Sequence, residues 1–135
     1  MRARVRLLGE ITFVGDAGGP GIVVDGEGRL GPSPMQLVLM GVAGCTAVDV
    51  AEILRRNGQV FERLEVVAEA ERAPDPPRVF TKVRIRYVVH GDVDERILRD
   101  AIKLSQARYC SASVMIRRSG AEVKTEYEVV RDRGD

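Results

Sequence analysis

From Met35 to Val48 the chain carries no charged residue, and this run is introduced by Ser33-Pro34. A serine hydroxyl can accept from a free N–H of a first helical turn, and proline fits the first helical position because its missing N–H has no partner to lose. Downstream, Asn57-Gly58 is a stop signal, and Arg55 and Arg56 fall in the last turn, where the helix dipole favours cations. The spacing predicts one long helix from Pro34 to about Arg56. Its first half is apolar on every side, so it must be covered on every side. Gly41 and Gly44 keep part of it thin enough for another backbone to approach closely. A chain of 135 residues has little material with which to surround a whole helix, so a second subunit is the expected cover. The uncharged run is too short to span a bilayer, and no membrane partner is expected.

Length sets the expectation of a single domain, 1–135, large enough to fold without a disulfide. The formal net charge is +1, which argues against the basic face that nucleic acid requires. There is no Trp and aromatics make up 4%, so a base-stacking platform is not expected. The opening "MRARVRLLGEITF" alternates charged and apolar residues and lacks the features of a signal peptide. A cytoplasmic location is expected, and two cysteines in a reducing compartment are more often free or redox-active than structural.

Around the helix, "RARVRLL", "EITFV" and "IVVD" read as strands separated by glycine-rich loops. "FERLEVVAEAER" places Leu64, Val66, Ala68 and Ala70 on one face, and "VFTKVRIRYVVH" alternates Val83, Ile85, Tyr87 and Val89 against Lys82, Arg84 and Arg86. An acidic strand before a basic one suggests antiparallel neighbours pairing charges across the sheet. Asp92 and Glu95 form a D-x-x-E capping pattern for a helix continuing to about Arg108, with Val93, Ile97, Ala101 and Leu104 as its stripe. Ser111 to Ile116 reads as a short helix and "AEVKTEYEVV" as a last strand. The order is β-β-β-α-β-β-α-α-β, an α+β architecture.

Two thiols, Cys45 and Cys110, are the candidates for chemistry. Free cysteine is most often a small buried hydrophobe. Position argues for more. Cys110 lies at a helix start, where unpaired N–H groups favour thiolate, and Cys45 lies inside the helix expected at the centre of the assembly. On the dipole argument alone Cys110 is the more acidic thiol. Asp49, one turn after Cys45, would disfavour a thiolate beside it, though a helix carboxylate bonded to an arginine is its simpler reading. His90 ends a strand and reads as a surface residue. One histidine and two separated cysteines make no zinc site, and the glycine-rich loops match no phosphate-binding pattern.

The segments "GPSPMQLVLMGVAGCTAVDVAEIL" and "AIKLSQARYCSASVMI" resemble the OsmC/Ohr family of osmotically inducible and organic hydroperoxide resistance proteins, in a divergent branch. The likeness runs from about Arg4 to Val130. Its most specific parts are Pro34 leading the helix, Gly44-Cys45 within it, and Leu104-Ser105 with Tyr109-Cys110-Ser111. The resemblance implies an intertwined homodimer, with two long central helices packed on antiparallel sheets contributed by both chains. It also implies a thiol peroxidase of oxidative stress defence, in which Cys45 is the peroxidatic and Cys110 the resolving thiol. No cofactor is bound on this reading, and an external dithiol reductant restores the enzyme. The alternative the resemblance leaves open is a small-ligand-binding protein with little turnover. Where peroxidases of the family have Asn-Pro-Glu, this chain has Ser33-Pro34-Met35, followed by Gln36. The family glutamate holds an arginine that activates the thiol, and Arg29 is the nearby candidate for that arginine. Met35, Gln36, Leu39 and Met40, with Arg29 and Asp49, are the expected pocket for an organic hydroperoxide or apolar ligand.

Overall fold

The structure, a computed structural model, describes residues 1–131; residues 132–135 of the expected 1–135 domain lie outside the described residues. The strands are β1 (Arg4–Gly9), β2 (Thr12–Asp16), β3 (Ile22–Asp25), β4 (Arg63–Arg72), β5 (Phe80–His90) and β6 (Glu122–Val130). The helices are α1 (Pro34–Arg56), α2 (Glu95–Leu104) and α3 (Ser111–Arg118), with a π-helical turn at Ser105–Tyr109 between the last two. Apart from that turn the order is the one the sequence predicts, and the class is α+β. The chain falls into two compact units, Met1–Val38 and the residues from Leu39 onward.

In the first unit β1, β2 and β3 form an antiparallel meander in that order. Asp25, 3% exposed, organises the loop that follows. Its carboxylate accepts from the N–H of Glu27 at 2.8 Å and of Leu30 at 3.1 Å, and from Thr12 Oγ1 at 3.4 Å. The bond from Glu27 N–H, then that from Leu30, holds its carboxyl below the ordinary value. Gly31 passes so close to Val23 that a Cβ there would lie 2.5 Å from the Val23 carbonyl oxygen, so only glycine fits. The loop delivers Ser33 to the helix start. Ser33 Oγ accepts from Gln36 N–H at 3.2 Å, and Gln36 Oε1 accepts from Ser33 N–H at 2.8 Å. This reciprocal capping box confirms the helix start read from Ser33-Pro34.

In the second unit α1 ends as expected. Gly58 takes φ 73°, and its neighbour Gln59 donates its N–H back to Leu54 O at 2.9 Å. The buried residues of α1 are Val42, Thr46, Val50 and Leu54, one per turn. The single chain leaves the other sides open: Met40 and Val48 are each 58% exposed. Over an 18-residue window, mean hydropathy is 1.9 but only 22% of the window is buried. By length and composition alone α1 could cross a bilayer, although the uncharged run within it is shorter.

The second sheet has the order β4-β5-β6. β4 and β5 pair antiparallel, with Glu69 opposite Arg84 and Glu71 opposite Lys82, as the acidic and basic strands suggest. β6 joins the other edge of β5 in parallel, a correction to the expectation of antiparallel sheets. A parallel neighbour requires a crossover, which α2, the π turn and α3 supply. The ion pairs of Arg86 run to this parallel neighbour, to Glu128 at 2.6 Å and Glu126 at 3.8 Å.

Val83, Ile85, Tyr87 and Val89 of β5 are fully buried, as are Val42, Val50 and Leu54 of α1 and Val93 and Leu98 at α2. Each such apolar side chain withdrawn from water contributes roughly 1.5–3 kcal/mol. α2 is capped by Asp94, whose carboxylate accepts from Arg96 N–H at 2.8 Å, and not by Asp92, which pairs with Arg131 at 3.1 Å. Of the expected stripe, Val93 and Ala101 are buried, Ile97 is half-buried and Leu104 is exposed; the buried face of α2 is Leu98, Ala101 and Ile102. The α-helical bonding stops at Leu104, short of the expected Arg108, because Cys110 N–H reaches five residues back to Ser105 O at 2.7 Å.

Candidate active site

Cys45 projects from the middle of α1 and is half-buried. Cys110 sits at the N-cap of α3 and is fully buried. The two free thiols are near enough that Cys45 adds to the influences on the Cys110 proton. Cys110 Sγ also lies 3.2 Å from Ser113 Oγ and accepts from Ser113 N–H at 3.4 Å. Burial is the largest influence on Cys110 and pushes its thiol above the ordinary value; the bonds with Ser113 oppose this and Cys45 adds to it. The helix-start position is as the sequence predicts, but its acidifying effect is outweighed. α3 is short, and desolvation of the sulfur exceeds what one N–H supplies.

Beneath the thiols lies a polar network that the sequence reading did not foresee. Thr46 Oγ1 is 2.7 Å from Tyr87 OH and 2.7 Å from Ser105 Oγ. Ser105 Oγ donates to Asp49 Oδ2 at 2.9 Å. Gln106 Nε2 donates to Thr46 Oγ1 at 3.2 Å and to Tyr87 OH at 3.1 Å. Arg117 closes the far end with two bonds of 2.6 Å, one to the Gln106 carbonyl and one to its Oε1. The donors can be ordered in one direction only. Asp49 can only accept as a carboxylate, so Ser105 gives its proton there and accepts from Thr46; Thr46 in turn accepts from Tyr87 and Gln106. Burial pushes the Tyr87 phenol above its ordinary value, which suits a donor. A cation at Arg117 and an anion at Asp49 thus bracket a fully bonded neutral chain. No buried side-chain N or O among the described residues is left without a partner.

Asp49 therefore bonds to a serine and not to an arginine, which corrects the simpler reading of that residue. The signals for the network were present: Thr46 and Asp49 interrupt an apolar helix, Tyr87 occupies the inward set of β5, and Ser105-Gln106 follow the buried stripe of α2. What hid them was the stripe read for α2: counted from Val93 and Ile97 it ends on Leu104, whereas the observed buried face of Leu98, Ala101 and Ile102 runs on at helical spacing to Ser105 and Gln106.

Leu39 is half-buried and Met40 exposed on α1. In the first unit, Met35 is half-buried, Gln36 is engaged in the capping box, and Arg29 is an exposed loop charge paired with Glu27 at 3.4 Å. His90 is half-buried at the end of β5, with Nδ1 3.4 Å from the Arg63 guanidinium. A cavity of about 300 Å³ is lined by Arg63, Leu64, Glu65 and His90, none of which belongs to the thiol cluster. Among the described residues no group of three or more His, Cys, Asp or Glu is gathered to hold a metal ion.

One thiol on α1 and one at the N-cap of α3, on an α+β fold whose last strand follows a crossover through a π turn, define the class of protein. The family model for OsmC-like protein matches residues 25–126, and the chain belongs to that family. It is 38% identical over 133 residues to Protein YhfA of Escherichia coli, covering 96% of this chain and 98% of that protein. Among solved structures it is similar to a hypothetical protein from Aquifex aeolicus, with TM-score 0.90 and 29% identity over 98% of this chain and 97% of that one. The fold is also shared with the organic hydroperoxide resistance protein OhrB of Bacillus subtilis, with TM-score 0.64 and 20% identity over 95% and 98% of the two chains.

Proposed function

We propose that this protein is a cysteine-based peroxidase that reduces organic hydroperoxides to alcohols, in defence against oxidative stress. The observation that carries this reading is the placement of a half-buried Cys45 in the neighbourhood of a fully buried Cys110, whose thiol burial pushes above its ordinary value. Membership of the OsmC-like family and the shared fold with a hydroperoxide resistance protein support it. Cys45 thiolate attacks the distal oxygen of the hydroperoxide; the O–O bond breaks, the alcohol leaves with a proton, and Cys45 becomes a sulfenic acid. The sulfur of Cys110 then attacks that of Cys45, water leaves, and a disulfide forms. An external dithiol restores both thiols by exchange and is itself oxidised to a disulfide. Burial suits Cys110 to the second step, since a thiol that keeps its proton stays inert until its partner is oxidised.

On this reading the chain is one OsmC-like domain, 1–135, acting in the cytoplasm as a homodimer and needing no bound cofactor. The apolar face of α1 that the single chain leaves open is the surface the second copy covers. A second reading, a small-ligand-binding protein with little turnover, is favoured by one feature. Met35 offers no carboxylate where the family's peroxidases place one, and Gln36 spends its side-chain oxygen on the helix cap. Turnover of cumene hydroperoxide with a dithiol, measured beside Cys45→Ser, separates the two. We expect turnover in the wild type and its loss in the variant; binding of the hydroperoxide without alcohol formation would favour the second reading.

A further inference from the structure

Cys110 is held from both sides in sequence. The π turn leads into it and α3 leads out, and Arg117 of α3 grips the π turn by two bonds of 2.6 Å to Gln106, at the main-chain carbonyl and at Oε1. The same amide anchors the turn to the rest of the unit, because Gln106 Nε2 donates to Thr46 of α1 and Tyr87 of β5. Thr46 is the residue next to Cys45. The backbone that carries Cys110 is thereby tied to the helix that carries its partner. A π turn is a local departure from the preferred α-helical ladder, and it persists where surrounding bonds over-determine it.

We infer that Arg117 and Gln106 are positioning residues that hold the Cys110 sulfur in line for attack on Cys45. The inference rests on the resolving role proposed above for Cys110. Neither side chain touches the reacting atoms in this account. Their effect falls on the second step, in which Cys110 Sγ bonds to Cys45 Sγ and a leaving group departs, and not on the first oxidation of Cys45. Displacement of a reacting atom by about 1 Å is enough to cost on the order of a hundredfold in rate.

The test uses an aromatic disulfide, dithionitrobenzoate, which needs no hydroperoxide. The half-buried Cys45 attacks it, forming a mixed disulfide and releasing one coloured thiolate. Cys110 then loses its proton to solvent and attacks Cys45 Sγ, releasing the second thiolate and forming the internal disulfide. In the wild type both equivalents appear, and in Cys110→Ser only the first. In Arg117→Ala we expect the first release unchanged and the second slowed about tenfold or more. Arg117→Lys keeps the charge but not the two-pronged grip, and slows the second release in the same sense, which keeps the test decisive if the alanine variant does not fold. Gln106→Glu keeps both acceptors for the guanidinium but loses the Nε2 donor to Thr46 and Tyr87, and it too slows the second release. A second release unchanged in both Arg117 variants, or slowed only in proportion to the first, overturns the inference, as does an unchanged second release in Gln106→Glu. Failure of the peroxidase reading is seen separately, as wild-type Cys45 that forms no sulfenic acid with cumene hydroperoxide.

Discussion

At the scale of single residues, the two sulfurs differ in what surrounds them. Cys110 has no exposed surface, and burial keeps its proton on at neutral pH. The ordinary value for such a thiol is 9.0, and the folded value lies above it. Below the ordinary value both folded and unfolded chains hold this proton, and its contribution to stability is constant. As pH rises through the window between the unfolded and folded values, the unfolded chain gives the proton up first, and stability falls. Closure of the disulfide should therefore accelerate as pH rises from neutral into the alkaline range. In the same range the wild type should lose stability that Cys110→Ser does not lose. Stopped-flow resolution of the second step and urea melts across pH measure both, and a second step flat with pH would mean that Cys110 is already ionised in the fold. Ser113, which no sequence motif marked, is the residue that limits the rise, since its N–H and hydroxyl both work against it.

At the scale of elements, α1 begins where Ser33 and Gln36 exchange bonds, and this cap is independent of the thiols. Ser33→Ala should cost about 0.5–2 kcal/mol of stability by denaturant melting while leaving reaction of Cys45 with an aromatic disulfide intact. An unchanged midpoint would show that the capping bonds are matched by water. The helix start, its stop at Gly58 and the alternation of β4 and β5 were legible because each depends on local chemistry: a hydroxyl before a proline, a glycine with positive φ, a period of two. The parallel seat of β6 was not legible, because its alternation is the same in either direction and only the crossover decides it. Nor was the cap of α2. Asp92 and Asp94 are both plausible caps, and the choice fell to Asp94 while Asp92 took Arg131. At the site, the cysteines stood out by rarity, but their proximity and the bond from Ser105 to Asp49 needed tertiary structure. The π turn lay beyond periodicity altogether: a single extra residue in the ladder shifts every side chain after it, and no residue type announces it.

At the scale of the molecule, the proposed dimer rests on α1. Met40 and Val48 stand 58% exposed on a helix with mean hydropathy 1.9, and exposed apolar surface of this kind marks interaction sites when it is contiguous. Light scattering at micromolar concentration should give twice the chain mass of 14.8 kDa, and Val48→Glu, which buries a charge in that contact, should shift the mass toward one chain. A folded wild-type monomer would remove the intertwined assembly. The parallel pairing of β5 with β6 carries a different consequence, for the order in which the chain acquires its structure. β4 and β5 are joined by the loop 73–79 and can pair locally, whereas β6 must wait for the longer crossover, 91–121, to close before its first bond forms. Cys110 lies inside that crossover. A nascent chain is therefore expected to pass through a stage in which its sheet is half built and Cys110, on the proposed reading the resolving sulfur, is still open to the solvent. Labelling of Cys110 by a thiol reagent during refolding should be fastest before β6 docks.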